Sequence, residues 1–140
     1  MALHAVSLNE PVVLKSVQRT MLLDETKRTT LVPLRHLLRA SRISGRVDSY
    51  CVCAAVGCGI ALQREILATT LMQLLRDTWG QAPVVFHPTV HVASFDEAWL
   101  LSLITAMRDD DTDSAAFLLG SRLPKYTHRM VLSLLAQLGF

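Results

Sequence analysis

Apolar and polar positions alternate along most of the chain with a helical period. The longest such segment runs from Val47 to Gly80, where Ile60, Leu67, Leu71 and Leu74 recur at spacings of three, four and seven. Ile66 and Leu75 widen that stripe, while Gln63, Arg64, Gln73, Arg76 and Asp77 fall off it, which is the pattern of an amphipathic helix. The first half of the segment places Cys51, Ala54, Ala55 and Cys58 on one small-residue face suited to close helix contact. Gly57 and Gly59 each cost roughly 1 kcal/mol against Ala inside a helix, so two helices meeting there, or one helix weakened there, are expected.

Asn9, Glu10 and Pro11 have the form of a helix start, followed by an apolar face of Val13 or Leu14, Val17, Met21 and Leu22. The apolar-free run Asp24 to Thr30 reads as a loop. Thr30 then caps a second helix to about Ser44, with Pro33 in its first turn, Gly45 beyond its end, and Leu31, Leu34, Leu37 and Leu38 turned inward. Residues 82–93, APVVFHPTVHVA, are β-branched and interrupted by Pro88. They predict an extended connector near residues 83–92. A lone strand leaves its backbone groups unpaired, so the connector must cross the core as an irregular loop, fold into a hairpin, or pair across a dimer axis.

Ser94, Phe95, Asp96 and Glu97 match a capping box, and the helix it opens carries Trp99, Leu100, Leu103, Ile104 and Met107 and stops at Asp109. Asp111 or Asp113 can cap a short helix in which Phe117 and Leu118 face the core. Pro124 opens a last helix with a stripe of Tyr126, Met130, Val131, Leu134, Leu135 and Leu138, and Gly139 stands at its C′ position. The fold class that follows is all-α: a single-domain bundle of five or six helices over residues 1–140. Its central helix, Cys51 to Trp79, has the N-terminal pair on one side and three C-terminal helices on the other.

Composition sharpens this picture. Hydrophobic residues make up 51% of the chain and charged ones 19%, below the roughly 25% charged of average globular proteins, so some apolar surface is expected to be shared with a partner or a second copy. No segment reaches the roughly 20 apolar residues of a membrane span. The N-terminal residues lack a basic region ahead of an apolar one, so no secretory signal is expected. Three cysteines, an odd number, point to reduced thiols and a cytoplasmic location. The net charge is +2. Basic residues concentrate early: residues 1–50 hold eight Lys or Arg against four acids, and residues 51–140 hold six against eight.

Two constellations bear on chemistry. Arg35, Arg39, Arg42 and Arg46, spaced by four, three and four, form one basic stripe, which is either a solvated helix face or a contact for nucleic acid or an acidic partner. Cys51, Cys53 and Cys58 with His87 and His91 offer thiolate and imidazole ligands for a metal or thiol-redox site. Their spacing argues against it. In a helix Cys51 and Cys53 point about 200° apart, and Pro88 keeps His87 and His91 off a shared helical face, so packed cysteines and half-exposed histidines are expected instead. A Cys–His nucleophile pair oriented by Asp96 matches no known order or spacing.

The acidic run Asp109, Asp110, Asp111, Asp113 lacks the glycine and the bidentate Glu of a calcium loop. No phosphate-binding glycine loop or nucleophile elbow occurs. His4, His36 and His128 are isolated and read as surface or interface residues, and Trp79 and Trp99 as core or groove anchors. The expectation is a non-enzymatic interaction or regulatory protein with no cofactor, presenting an apolar helical surface to a protein partner or to itself.

Overall fold

In a computed structural model of the chain, residues 21–41 and 60–140 are described, with side chains over 23–41 and 63–140. The first predicted helix up to residue 20, the Gly57 to Gly59 weak point, all three cysteines, Arg42 and Arg46 lie outside the described residues. Five α-helices are present among those described. They are α1 (Glu25–Ser41), α2 (Ile60–Trp79), α3 (Phe95–Arg108), α4 (Thr112–Arg122) and α5 (His128–Gln137), with a 3-10 turn at Lys125–Thr127 ahead of α5. Two short strands, β1 (Met21–Leu22) and β2 (Val92–Ala93), pair antiparallel, Met21 opposite Ala93 and Leu22 opposite Val92. The chain is an all-α bundle, and no helix among the described residues is long and apolar enough to cross a membrane.

Met21 and Leu22 therefore end in a strand rather than on a helix face. The connector finds a partner that the sequence pattern did not single out, and Leu23 extends the contact by donating its N–H to the His91 carbonyl at 3.2 Å. Asp24 to Thr30 is not a loop: α1 begins at Glu25, because the Asp24 carboxylate accepts the Lys27 N–H at 2.8 Å and caps the helix. Thr30 and Pro33 consequently sit inside α1 rather than at its start. Pro33 has no N–H for the Thr29 carbonyl, a local defect that the buried row Leu31, Leu34 and Leu38 outweighs, each side chain contributing roughly 1.5–3 kcal/mol on burial.

Among the described residues α3 carries the largest buried face. Its Trp99, Leu100, Leu101, Leu103, Ile104 and Ala106 are all buried. It packs on α1, α4 and β2, while α2 packs between α1 and α5. On α2 the buried row is Leu67, Ala68, Leu71, Met72 and Leu75, and Leu74 is only partly covered. The capping box forms as its residues require: Ser94 Oγ accepts the Glu97 N–H at 3.1 Å and Glu97 Oε2 accepts the Ser94 N–H at 3.0 Å. Asp111 caps α4, and Gly139, at φ +90°, terminates α5 in the left-handed region that glycine enters without strain.

Candidate functional site

Arg35 does not belong to a surface stripe. It follows Leu31 by four residues and precedes Leu38 by three, so its side chain leaves α1 on the core face and is 0% exposed. A buried guanidinium must be paired and hydrogen-bonded to persist. Glu97, 1% exposed, meets it side-on, with Nε to Oε1 at 3.1 Å and Nη2 to Oε2 at 2.9 Å. The remaining Arg35 donors reach the connector backbone: Nη1 to the His87 and Val90 carbonyls at 3.2 and 2.7 Å, and Nη2 to the Val92 carbonyl at 2.7 Å. Glu97 Oε1 also accepts the Phe86 N–H at 2.6 Å. The five guanidinium donors and both carboxylate oxygens are thus fully engaged. This pair holds the connector on the bundle and offers no free donor to a phosphate.

Of the other stripe members, Arg39 is half-buried on α1. Arg35 and Arg39 therefore do not stand together on a solvated face. His87 and His91 are exposed, with His87 Nδ1 2.8 Å from Thr89 Oγ1. Among the described residues no three His, Cys, Asp or Glu side chains converge as metal ligands.

A second polar cluster lies at the other edge of the connector. Arg122 Nη2 meets Asp96 Oδ1 at 2.7 Å, and its guanidinium lies 3.8 Å from the Trp79 ring centroid and 4.9 Å from that of Phe95. Trp79 and Trp99 pack edge to face at 5.5 Å between centroids. Their indole N–H groups donate to the Arg122 and Leu118 carbonyls at 3.2 and 2.9 Å. Asp96 Oδ2 accepts the Val84 N–H at 2.8 Å, which fixes the start of the connector. Arg122 Nη1 is buried without a hydrogen-bond partner among the described residues, its neighbours being ring faces. Both clusters are structural anchors.

One surface feature of the described residues that is not consumed by packing is a groove of about 660 Å³ between α3 and α4. Leu101 and Ala106 form its buried floor, Leu118 is half-buried, and Phe117 stands at the lip 76% exposed. Phe117 is thus not a core residue. The core face of α4 is Ala115 and Leu119, which leaves Phe117 on the outer side of the helix. Asp109, Asp111 and Asp113 border the groove, and Lys27 lies at its edge. The Ser114 hydroxyl, and then its backbone N–H, donate to Asp111 and hold that carboxyl below its ordinary value of 3.8.

The C-terminal stripe is also narrower than its apolar letters suggest. Thr127, Val131, Leu134, Leu135 and Leu138 are buried, whereas Tyr126 is 86% and Met130 54% exposed. His36 is exposed, and His128 is half-buried with Nε2 3.0 Å from the Leu123 carbonyl oxygen. The sequence signal for the Arg35–Glu97 pair was a cation inside an apolar row. The groove had no comparable signal, because it depends on how α3 and α4 meet. No family model matches the chain, and no curated protein or solved structure matches it either.

Proposed function

We propose that this chain is a small non-enzymatic interaction or regulatory protein, acting in the cytoplasm through an apolar helical surface offered to a partner or to a second copy of itself. The single observation that carries this reading is Phe117, 76% exposed at the lip of the groove between α3 and α4. An exposed aromatic beside a concave apolar floor is the arrangement that anchors partners, since aromatic side chains bring large contact area at little entropic cost. The polar clusters support the same reading from the other direction. Arg35, Glu97, Asp96 and Arg122 are committed to one another and to backbone groups, as side chains that hold a scaffold are.

The reading is tested by placing the photo-crosslinker p-benzoylphenylalanine at position 117 of the full chain in its native cells and irradiating. The expected result is a discrete covalent adduct, either with a second copy or with one other protein. Absence of any discrete adduct, together with a solution mass that stays monomeric across a concentration series, would overturn the reading.

A further inference from the structure

Besides Val84 and Phe95, the large apolar side chains exposed on the described surface fall into two patches of opposite charge. The first is the groove, whose lining holds Asp109, Asp111 and Asp113 against one basic residue, Lys27, which is itself paired with Asp24 at 3.7 Å, over a floor of Leu101 and Ala106, although the chain as a whole carries a net charge of +2. The low-lying Asp111 carboxyl keeps its charge throughout the neutral range. The second patch lies on the 3-10 turn and the first turn of α5. There Tyr126 and Met130, one helical repeat apart, are exposed beside Lys125 and Arg129, which are exposed as well.

Each patch has what the other lacks. The groove is concave, apolar at its base and anionic at its rim. The α5 patch is a convex helical ridge with two large apolar side chains and two cations at the same spacing. A ridge of this kind fits a groove between helices by seating its apolar pair on the floor while its charges meet the rim. Seven of the groove's lining residues are exposed and only Leu101 and Ala106 are buried. The site is therefore an open trough suited to a helix rather than the enclosed cavity that covers most of a small ligand.

Resting on the interaction reading above, we infer that the occupant of the α3–α4 groove is a second copy of this chain. That copy contributes the Lys125, Tyr126, Arg129 and Met130 face of its own turn and α5. Contact in both directions closes a symmetric dimer, and contact in one direction only builds an open chain of copies.

The test is solution mass, by sedimentation or light scattering, on four full-length proteins over a concentration series. They are the wild type, a groove reversal (Asp109→Lys with Asp113→Lys), a ridge reversal (Lys125→Glu with Arg129→Glu), and the protein carrying all four changes. All four positions are exposed and the Asp111 cap is kept, but Asp113 is the first-turn acid of α4, so its reversal lowers the melting temperature slightly; thermal melts serve as the control, and association is compared only where every variant is folded. The wild type is expected to self-associate, with a midpoint that moves to higher concentration at 0.5 M salt. Each reversal alone raises the midpoint by about tenfold or more, as loss and inversion of close charge pairs across an interface does. The four-fold protein regains association, and so does an equimolar mixture of the two single reversals, in which one acidic groove meets one basic ridge.

A wild type that stays monomeric at all concentrations would overturn this inference, and a Phe117 adduct with a different protein would then leave the interaction reading standing. Self-association indifferent to both reversals would overturn the groove–ridge pairing while still leaving a self-associating protein. Association of the single reversals that is not recovered on mixing them would count equally against it.

Discussion

Replacing Glu97 is expected to be the most damaging single change in the described part of the molecule. Glu97→Ala leaves the Arg35 guanidinium, 0% exposed, without its counter-charge. Breaking a buried pair in this way costs about 3–5 kcal/mol, a large share of the 5–15 kcal/mol that stabilises a typical domain. A sharper test is the double variant Arg35→Met with Glu97→Met. Removing both charges from an ordinary buried pair is often neutral, because hydrophobic replacements escape the desolvation penalty.

Here the pair also serves five connector backbone groups: the carbonyls of His87, Val90 and Val92 and the N–H groups of Phe86 and Ser94. His87 is exposed and Val90 and Val92 are half-buried, so water can take over the carbonyls. Ser94 is buried and Phe86 half-buried, and each orphaned N–H costs about 1–3 kcal/mol. The double variant is therefore expected to remain at least about 2 kcal/mol less stable than the wild type in urea unfolding followed by circular dichroism. Its Phe86 and Ser94 amides are expected to lose hydrogen-exchange protection. A double variant as stable as the wild type, with those amides still protected, would refute the idea that the ion pair exists to hold the connector.

Arg122→Lys is expected to cost about 1–2 kcal/mol, because an ammonium cannot both stack on Trp79 and reach Asp96 as the planar guanidinium does; urea unfolding reads the loss, and a red-shifted tryptophan emission reports wetting of Trp79. Pro33→Ala restores an N–H facing the Thr29 carbonyl in the interior of α1 and is expected to raise stability by about 1–3 kcal/mol in the same assay. The Asp111 cap makes α4 acid-sensitive. Its folded-state pKa lies below the ordinary 3.8, so its contribution is fully present above that value and disappears as pH falls through the lower folded one. Acid titration of an Asp111→Asn variant should lack that step, while the wild type shows it.

The parts of this fold written locally were legible in the chain. The Ser94 to Glu97 capping box, the stop at Asp109, a cap at Asp111 or Asp113, which the structure resolves to Asp111, and the Gly139 terminator each depend on residues within one turn of one another, and they form where their chemistry places them. Elements decided by distant partners were not. The polar run Asp24 to Thr30 reads as a loop because it has no apolar residue, yet α1 begins there on the Asp24 cap, one turn and a half before its buried row starts at Thr30 and Leu31. Phe117, Tyr126 and Met130 look like core by composition, yet Phe117 sits two positions from the buried Ala115 and Leu119, and Tyr126 and Met130 one position from the buried Thr127 and Val131. A single-letter pattern cannot resolve that offset when both neighbouring rows are apolar. Arg35 was the reverse case: its spacing to Leu31 and Leu38 already assigned it to the core face, and its charge pointed the reading outward.

The charged groups that serve the two roles of α3 sit at opposite ends of it, which makes their effects separable. Its first turn supplies Asp96 and Glu97 to the connector anchors, whereas the groove wall runs from Leu101 through Ser102, Thr105 and Ala106 to its acidic end at Asp109. From Glu97 to Asp109 is twelve residues, about 18 Å at the helical rise, roughly twice the distance over which exposed charges are felt at physiological salt. Substitutions at the two ends should therefore be additive. Loss of Glu97 should lower unfolding free energy without changing the concentration at which the remaining folded protein associates, and reversal of Asp109 and Asp113 should do the opposite. Coupling between the two would mean that the groove is shaped by the connector rather than by the meeting of α3 and α4. The tight corner between them, with Asp110 at φ 53° and Asp111 capping the next helix, instead sets that geometry locally, so the groove stands open before any partner arrives.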